Sequence, residues 1–168
     1  AKEDFSLKSF NVNNTFKINE KLLMKLLSIQ SPSKNEGEMK KFIVSYIHAN
    51  KIECKIDVDE TGNILITKGE AELYPCFISH MDEVNAIQSD RTVIKLNNIL
   101  IGLNAKTGAY AGIGADDANG VYICLEALRA FENVKIAFVV EEEIGCIGSG
   151  KMDMKFFENV IFVFQADR

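Results

Sequence analysis

Apolar residues recur at helical spacing in three stretches of this chain, and short extended runs lie between them. Ile18, Leu22, Leu23, Leu26 and Leu27 mark one helical stripe that fades by Gln30, and Pro32 ends it. Met39, Phe42, Ile43, Tyr46 and Ile47 mark a second; Ser33-Lys34-Asn35-Glu36 ahead of it has the form of a capping box, which satisfies the first free amides. Val121, Cys124, Leu125 and Leu128 form the buried stripe of a third helix, from about Asp117 to Phe131. Ile52, Cys54, Ile56 and Val58 alternate as a strand with one covered face, Thr61-Gly62-Asn63 turns, and Ile64 to Thr67 returns as a second strand. Cys76-Phe77-Ile78-Ser79 reads as a short central strand. Val134 to Val140 is almost continuously apolar, as a strand covered on both faces should be, and Val160 to Phe164 is the last strand. Thr92 to Leu96 and Ile99 to Leu103 flank Asn97-Asn98, a two-residue hairpin turn because Asn tolerates the left-handed conformation. Gly108 to Gly114 reads as a glycine-rich loop, and the polar, aperiodic residues 1–17 predict an irregular N-terminal arm.

Composition narrows the class. The 168 residues, 47% apolar and 26% charged, suit one globular domain with a real core. A net charge of −5 argues against a nucleic-acid surface and agrees with a carboxylate-rich pocket. Cys54, Cys76, Cys124 and Cys146 are scattered without a Cys-x-x-Cys pair, which points to free thiols and a reducing, cytoplasmic setting. No run approaches the ~20 apolar residues of a membrane span, so no membrane partner is expected.

Four polar segments carry the chemistry. Ser79-His80-Met81-Asp82, Glu141-Glu142-Glu143-Ile144-Gly145 and Gln165-Ala166-Asp167-Arg168 each follow an apolar strand directly, and Gly114-Ala115-Asp116-Asp117 opens the third helix. Ligands of open α/β sheets bind where strands end at their carboxyl edge, so the four segments suggest one shared site. One His with several carboxylates is what a divalent metal needs. Residues two apart in an extended segment project to the same side, which lets Asp82 orient the His80 ring. One Asp of the Asp116-Asp117 pair is explained by helix capping alone; three glutamates ending a buried strand call for a compensating cation. His48, within a helix, reads as structural or solvent-facing.

The order His-x-Asp, Gly-Ala-Asp-Asp-x-x-Gly, Glu-Glu-x-Gly and strand-end Asp resembles the co-catalytic zinc exopeptidases, the group that holds peptidase T, carboxypeptidase G and the aminoacylases. The resemblance runs from about Asn19 to Arg168, and peptidase T is the nearest pattern. It implies a three-layer αβα sandwich with a mixed central sheet, and an aminopeptidase acting on short peptides. It also implies that His80 and Asp167 bind one metal, Glu143 the other, and that Asp116 bridges both. Glu142 would be the general base and Asp82 the orienting carboxylate. Zinc is the first expectation; manganese or cobalt would also suit so oxygen-rich a site. The group often has Lys after the Asp pair, where this chain has Ala118.

The same resemblance implies a lid domain and a C-terminal portion with a further metal-binding His, so residues 18–168 would be a truncated catalytic domain. The expected partners are then a short peptide substrate, the missing portion, and a second copy through surfaces left bare. Two competing readings are an inactive fragment or partner-binding module, and a magnesium phosphatase; the His80–Asp82 pair argues against the latter.

Overall fold

The computed structural model describes residues 18–167; the expected arm over 1–17 and Arg168 lie outside them. Helix α1 spans Glu20–Ser28 and α2 Gly37–Ala49, and the strands β1 (Lys55–Val58), β2 (Ile64–Lys68) and β3 (Tyr74–His80) follow. After β3 come β4 (Arg91–Leu96), β5 (Ile99–Asn104), the two-residue β6 (Tyr110–Ala111) and α3 (Ala115–Ala130). The chain continues through β7 (Val134–Val139), α4 (Ile147–Lys151), a 3₁₀ turn (Met154–Phe157) and β8 (Val160–Gln165).

Five strands make one mixed sheet in the order β1-β2-β7-β3-β8. The β1-β2 and β2-β7 pairs are antiparallel; β7-β3 and β3-β8 are parallel. Alternation along β7 explains how its six buried residues serve two cores. Val134, Ile136 and Phe138 face α1, α2 and α3, whereas Ala137 and Val139 face the other way. The first side is the larger core, with Leu26, Ile43, Ile47, Val121, Leu125 and Leu128 essentially removed from water. Each such side chain contributes roughly 1.5–3 kcal/mol of transfer free energy.

The opposite face carries a thinner layer, in which Met152, Phe156 and Phe157 cover Leu65, Ala137 and Val139. Lys135 fastens it: its Nζ donates to the carbonyls of Phe156 at 2.6 Å and Glu158 at 2.9 Å, and lies over the rings of Tyr74 and Phe156. The layering is αβα, with one helical layer much shorter than the other. At the sheet edge, Ile161, Phe162, Val163 and Phe164 of β8 remain about half exposed.

β4, β5 and β6 form a separate antiparallel sheet. Leu96 pairs with Ile99 across the expected Asn97-Asn98 turn, where Asn97 takes φ 55°. The glycine-rich stretch is not wholly loop, because Tyr110 and Ala111 pair with β5. The capping box does not form: Glu36 caps α2 without a side-chain bond, and Ser33 Oγ instead donates to Asp82. The rotamer of Ser33 is set by the charge-assisted bond to the Asp82 carboxylate, which is stronger than a neutral bond to a local amide. α4 and the 3₁₀ turn are too short to show a helical stripe in sequence.

Candidate metal centre

The three parallel strands lie side by side as β7-β3-β8, and each ends at the same carboxyl edge. His80 closes β3, the three glutamates follow β7, and Asp167 follows β8. The start of α3 reaches the same edge with Asp116. His80, Asp116 and Asp167 bring one ligand atom each within 4.8 Å of one another, and so do His80, Glu142 and Glu143. The four carboxylates that the family resemblance implies as ligands or base, Asp116, Glu142, Glu143 and Asp167, therefore gather around the His80 ring.

His80 is the centre, buried to 2% exposure. Its Nδ1 lies 3.0 Å from the Asp82 backbone carbonyl, which can only accept, so Nδ1 carries the hydrogen. Nε2 then faces Asp116 Oδ1 at 3.2 Å and Asp167 Oδ1 at 4.0 Å. Burial disfavours charge on the ring, but the Asp82 hydrogen bond and the charges of Asp117, Asp82 and Glu142 outweigh it and push the pKa up to about 9.

Asp82 does more than orient this ring. Its carboxylate Oδ1 sits 3.5 Å from Nδ1, farther than its own carbonyl, and accepts the Glu142 amide at 2.9 Å. Oδ2 accepts Ser33 Oγ at 2.6 Å and the Glu143 amide at 3.1 Å. Burial would raise its pKa; the donors from His80, Ser33, Glu142 and Glu143 win and lower it to about 2. One buried carboxylate thus ties the end of β3 to the glutamate segment after β7.

The Asp116–Asp117 peptide is cis, and both residues depart from helical backbone angles. Regular helix begins only beyond them. Asp117 Oδ1 accepts the Gly120 amide at 2.8 Å, the action of an N-cap, while Asp116 points to the His80 cluster. Burial, with the Asp167 charge adding to it, raises the Asp117 pKa to about 6. Gly120 is required by packing: a Cβ there would lie 2.2 Å from both the Ala166 carbonyl oxygen and Asp117 Oδ2. That close approach of α3 to the end of β8 sets Asp167 beside Asp116. Burial, and the nearby Asp116, Glu142 and Asp82, raise the Glu143 pKa, with His80 opposing. A cavity of about 350 Å³ adjoins the cluster, walled by Asp116, Asp117, Asn119, Ile123, Phe164 and Asp167.

Sequence patterns do not single out the ion pair that supports the approach to Asp116. Arg91 Nη1 donates to both Glu83 oxygens at 3.0 and 2.8 Å, with both side chains buried. Glu83 also accepts the Ser31 amide, and a Cβ at Gly114 would lie 2.7 Å from its Oε2. Gly114, at φ 56°, lets the loop close onto that carboxylate. The available signal was Glu83 itself, a third polar residue after a buried strand. His48 is an exposed helical residue, away from the cluster in role, as expected.

No protein-family model matches the chain, and no curated protein sequence matches it. Solved structures do share its fold. A tripeptidase from Staphylococcus aureus superposes with a TM-score of 0.71 at 20% identity, over 89% of this chain and 42% of that one. Aminopeptidase PepT from Bacillus cereus gives 0.73 at 21% identity, over 89% and 43% respectively. Aminoacylhistidine dipeptidase from Vibrio alginolyticus gives 0.69 at 20% identity, over 88% and 32%. The described architecture is therefore a peptidase-like α/β fold, and the chain spans about two-fifths of the length of the first two structures it matches.

Proposed function

We propose that this chain is the metal-binding part of a co-catalytic exopeptidase, an aminopeptidase that hydrolyses short peptides. The observation that carries the reading is the meeting of His80 Nε2 with the carboxylates of Asp116 and Asp167 at the end of adjacent strands. With Nδ1–H spent on a carbonyl, the lone pair of Nε2 confronts carboxylate oxygens, an arrangement that demands a cation. At neutral pH a proton can supply it, and a divalent ion would do so by displacing that proton. One imidazole among oxygen donors fits zinc, with manganese and cobalt as close competitors.

His80, Asp116 and Asp167 would hold one ion; Glu143, with Asp116 as the shared carboxylate, would hold a second. Bound there, such ions supply Lewis acidity that activates water and polarises a scissile carbonyl. Glu142 accepts the proton of the attacking water and returns it to the departing amine. Asp82 fixes the backbone of Glu142 and Glu143 through their amides, which keeps base and ligand in register with His80. The fold shared with a tripeptidase and an aminoacylhistidine dipeptidase supports an exopeptidase, and the short peptides that those two enzymes are named for support small substrates.

Hydrolysis of unblocked tripeptides by this chain, and by any longer form, in the presence of zinc, manganese or cobalt tests the reading. Glu142→Gln should abolish turnover, a loss on the order of 10²–10⁴-fold, while metal affinity stays nearly unchanged. Turnover surviving in that variant would remove Glu142 as base. Absence of turnover in every form would favour a binding module, and cleavage of phosphate esters but not peptides would overturn the exopeptidase.

A further inference from the structure

We infer that Asn63 is a positioning residue for the metal centre, clamping both ends of the loop that presents Glu142 and Glu143. Asn63 sits in the turn between β1 and β2, two strands away from His80, and is fully buried. Its side chain reaches across to the end of β7. Oδ1 accepts the Val140 amide at 3.0 Å, and Nδ2 donates to the Gly148 carbonyl at 2.9 Å and to Asp59 Oδ2 at 2.7 Å. The carbonyl oxygen and both N–H groups of the amide are thereby used.

The loop between those two anchors needs outside support. Glu141 and Cys146 both take φ 55°, in the left-handed region that non-glycine residues rarely adopt, and Gly145 takes φ 111°. Such backbone persists where its surroundings over-determine it. The Gly148 amide closes the base onto the Val140 carbonyl at 3.1 Å, so Asn63 and this bond together satisfy the backbone donor and acceptor at each end. A Cβ at Gly148 would lie 2.3 Å from the Val140 oxygen and 2.6 Å from Asn63 Oδ1, so the base accommodates glycine alone. Asp82 holds the middle of the loop by the Glu142 and Glu143 amides; Asn63 holds the two ends.

Asp59 makes the clamp rigid. Its Oδ1 accepts the amides of Thr61, Gly62 and Asn63 at 2.8–3.0 Å, which sets the turn, and its Oδ2 orients the Asn63 amide group. Loosening Asn63 should therefore free Glu142 and Glu143 while leaving the strands intact. Asn63 touches neither carboxylate, and it acts through the backbone that carries them.

The test uses Asn63→Asp, which is isosteric, keeps an acceptor for Val140 and loses both donors. Hydrogen exchange is read at amides 141–148 against those of β7, and Zn²⁺ affinity is read by calorimetry. The expected result is exchange at least about tenfold faster in the loop with β7 unchanged, and Zn²⁺ affinity weakened about 10–100-fold, as for other groups that orient metal ligands. Unchanged loop exchange in the folded variant would overturn the clamp. If Asn63→Asp does not fold, Asp59→Asn decides by the same exchange readout, since it slackens Asn63 without touching the loop base. The affinity arm rests on the metal reading, and His80→Ala separates the two. Parent protein that binds no Zn²⁺, or binding that survives His80→Ala, sinks the metal reading, whereas the exchange arm still judges the clamp.

Discussion

Replacing Asp82 by Asn tests whether one buried carboxylate joins the two halves of the centre. The residue is 1% exposed, and its side chain takes donors from Ser33 Oγ, Glu142 N and Glu143 N, with His80 Nδ1 at 3.5 Å. An amide of the same shape has one acceptor oxygen and must turn its own N–H₂ towards another donor. The depression of the carboxyl pKa from 3.8 to about 2 sets the scale, worth about 2 kcal/mol of native-state stabilisation. A backbone N–H left unpaired would add about 1–3 kcal/mol. Asp82→Asn should thus lower the unfolding free energy by roughly 3–5 kcal/mol in urea at neutral pH.

The pH dependence gives a second reading of the same quantity. A carboxyl with a depressed folded-state pKa contributes its stability above the unfolded value of 3.8 and loses it as pH falls through about 2. The stability difference between parent and Asp82→Asn should be constant from neutral pH down to about 4 and shrink below it. A difference under about 0.5 kcal/mol at neutral pH, the ordinary scatter of surface substitutions, would refute the reasoning.

The remaining predictions concern packing, a buried pair and metal affinity. Gly120→Ala should destabilise the chain by about 1–3 kcal/mol in thermal or urea unfolding, because its Cβ meets the Ala166 oxygen and Asp117. It should also weaken metal binding by moving Asp167. Arg91→Ala leaves the buried Glu83 carboxylate without its cation and should cost about 3–5 kcal/mol in urea unfolding, against a smaller loss for the double variant Arg91→Met, Glu83→Gln. Metal affinity should rise about tenfold per pH unit up to about 9, where His80 loses its proton, with a proton released in calorimetry buffers of differing ionisation enthalpy. The same raised pKa makes metal-free protein lose about 3 kcal/mol of His80-linked stability as pH climbs from 6.5 through 9, a slope absent from His80→Ala.

What the sequence displays and what it conceals divide along a physical line. His80, Glu142, Glu143 and Asp167 are legible because each follows an apolar run, and a buried strand can deliver a polar side chain only at its end. The three helices and β7 are legible for the same reason, since periodic burial writes itself into residue type. Hydrogen bonds between distant segments leave no such period. The Ser33 to Glu36 stretch satisfies a local capping pattern, yet its hydroxyl belongs to Asp82 and its carboxylate to the Lys34 and Glu141 amides. The Asp82 carboxylate reads as a partner for His80, but its shorter contacts are to loop amides that no spacing rule connects to it. Arg91 opens a partly buried strand with an unremarkable pattern, and its bond to Glu83 depends on how the segment after β3 folds back on the start of β4.

A crystal of this chain soaked in Zn²⁺, with anomalous scattering recorded at the zinc edge, addresses the central claim most directly. A peak about 2.0–2.2 Å from His80 Nε2, Asp116 and Asp167 oxygens is the predicted outcome. Peaks elsewhere on the surface, with these three side chains unengaged, would contradict it.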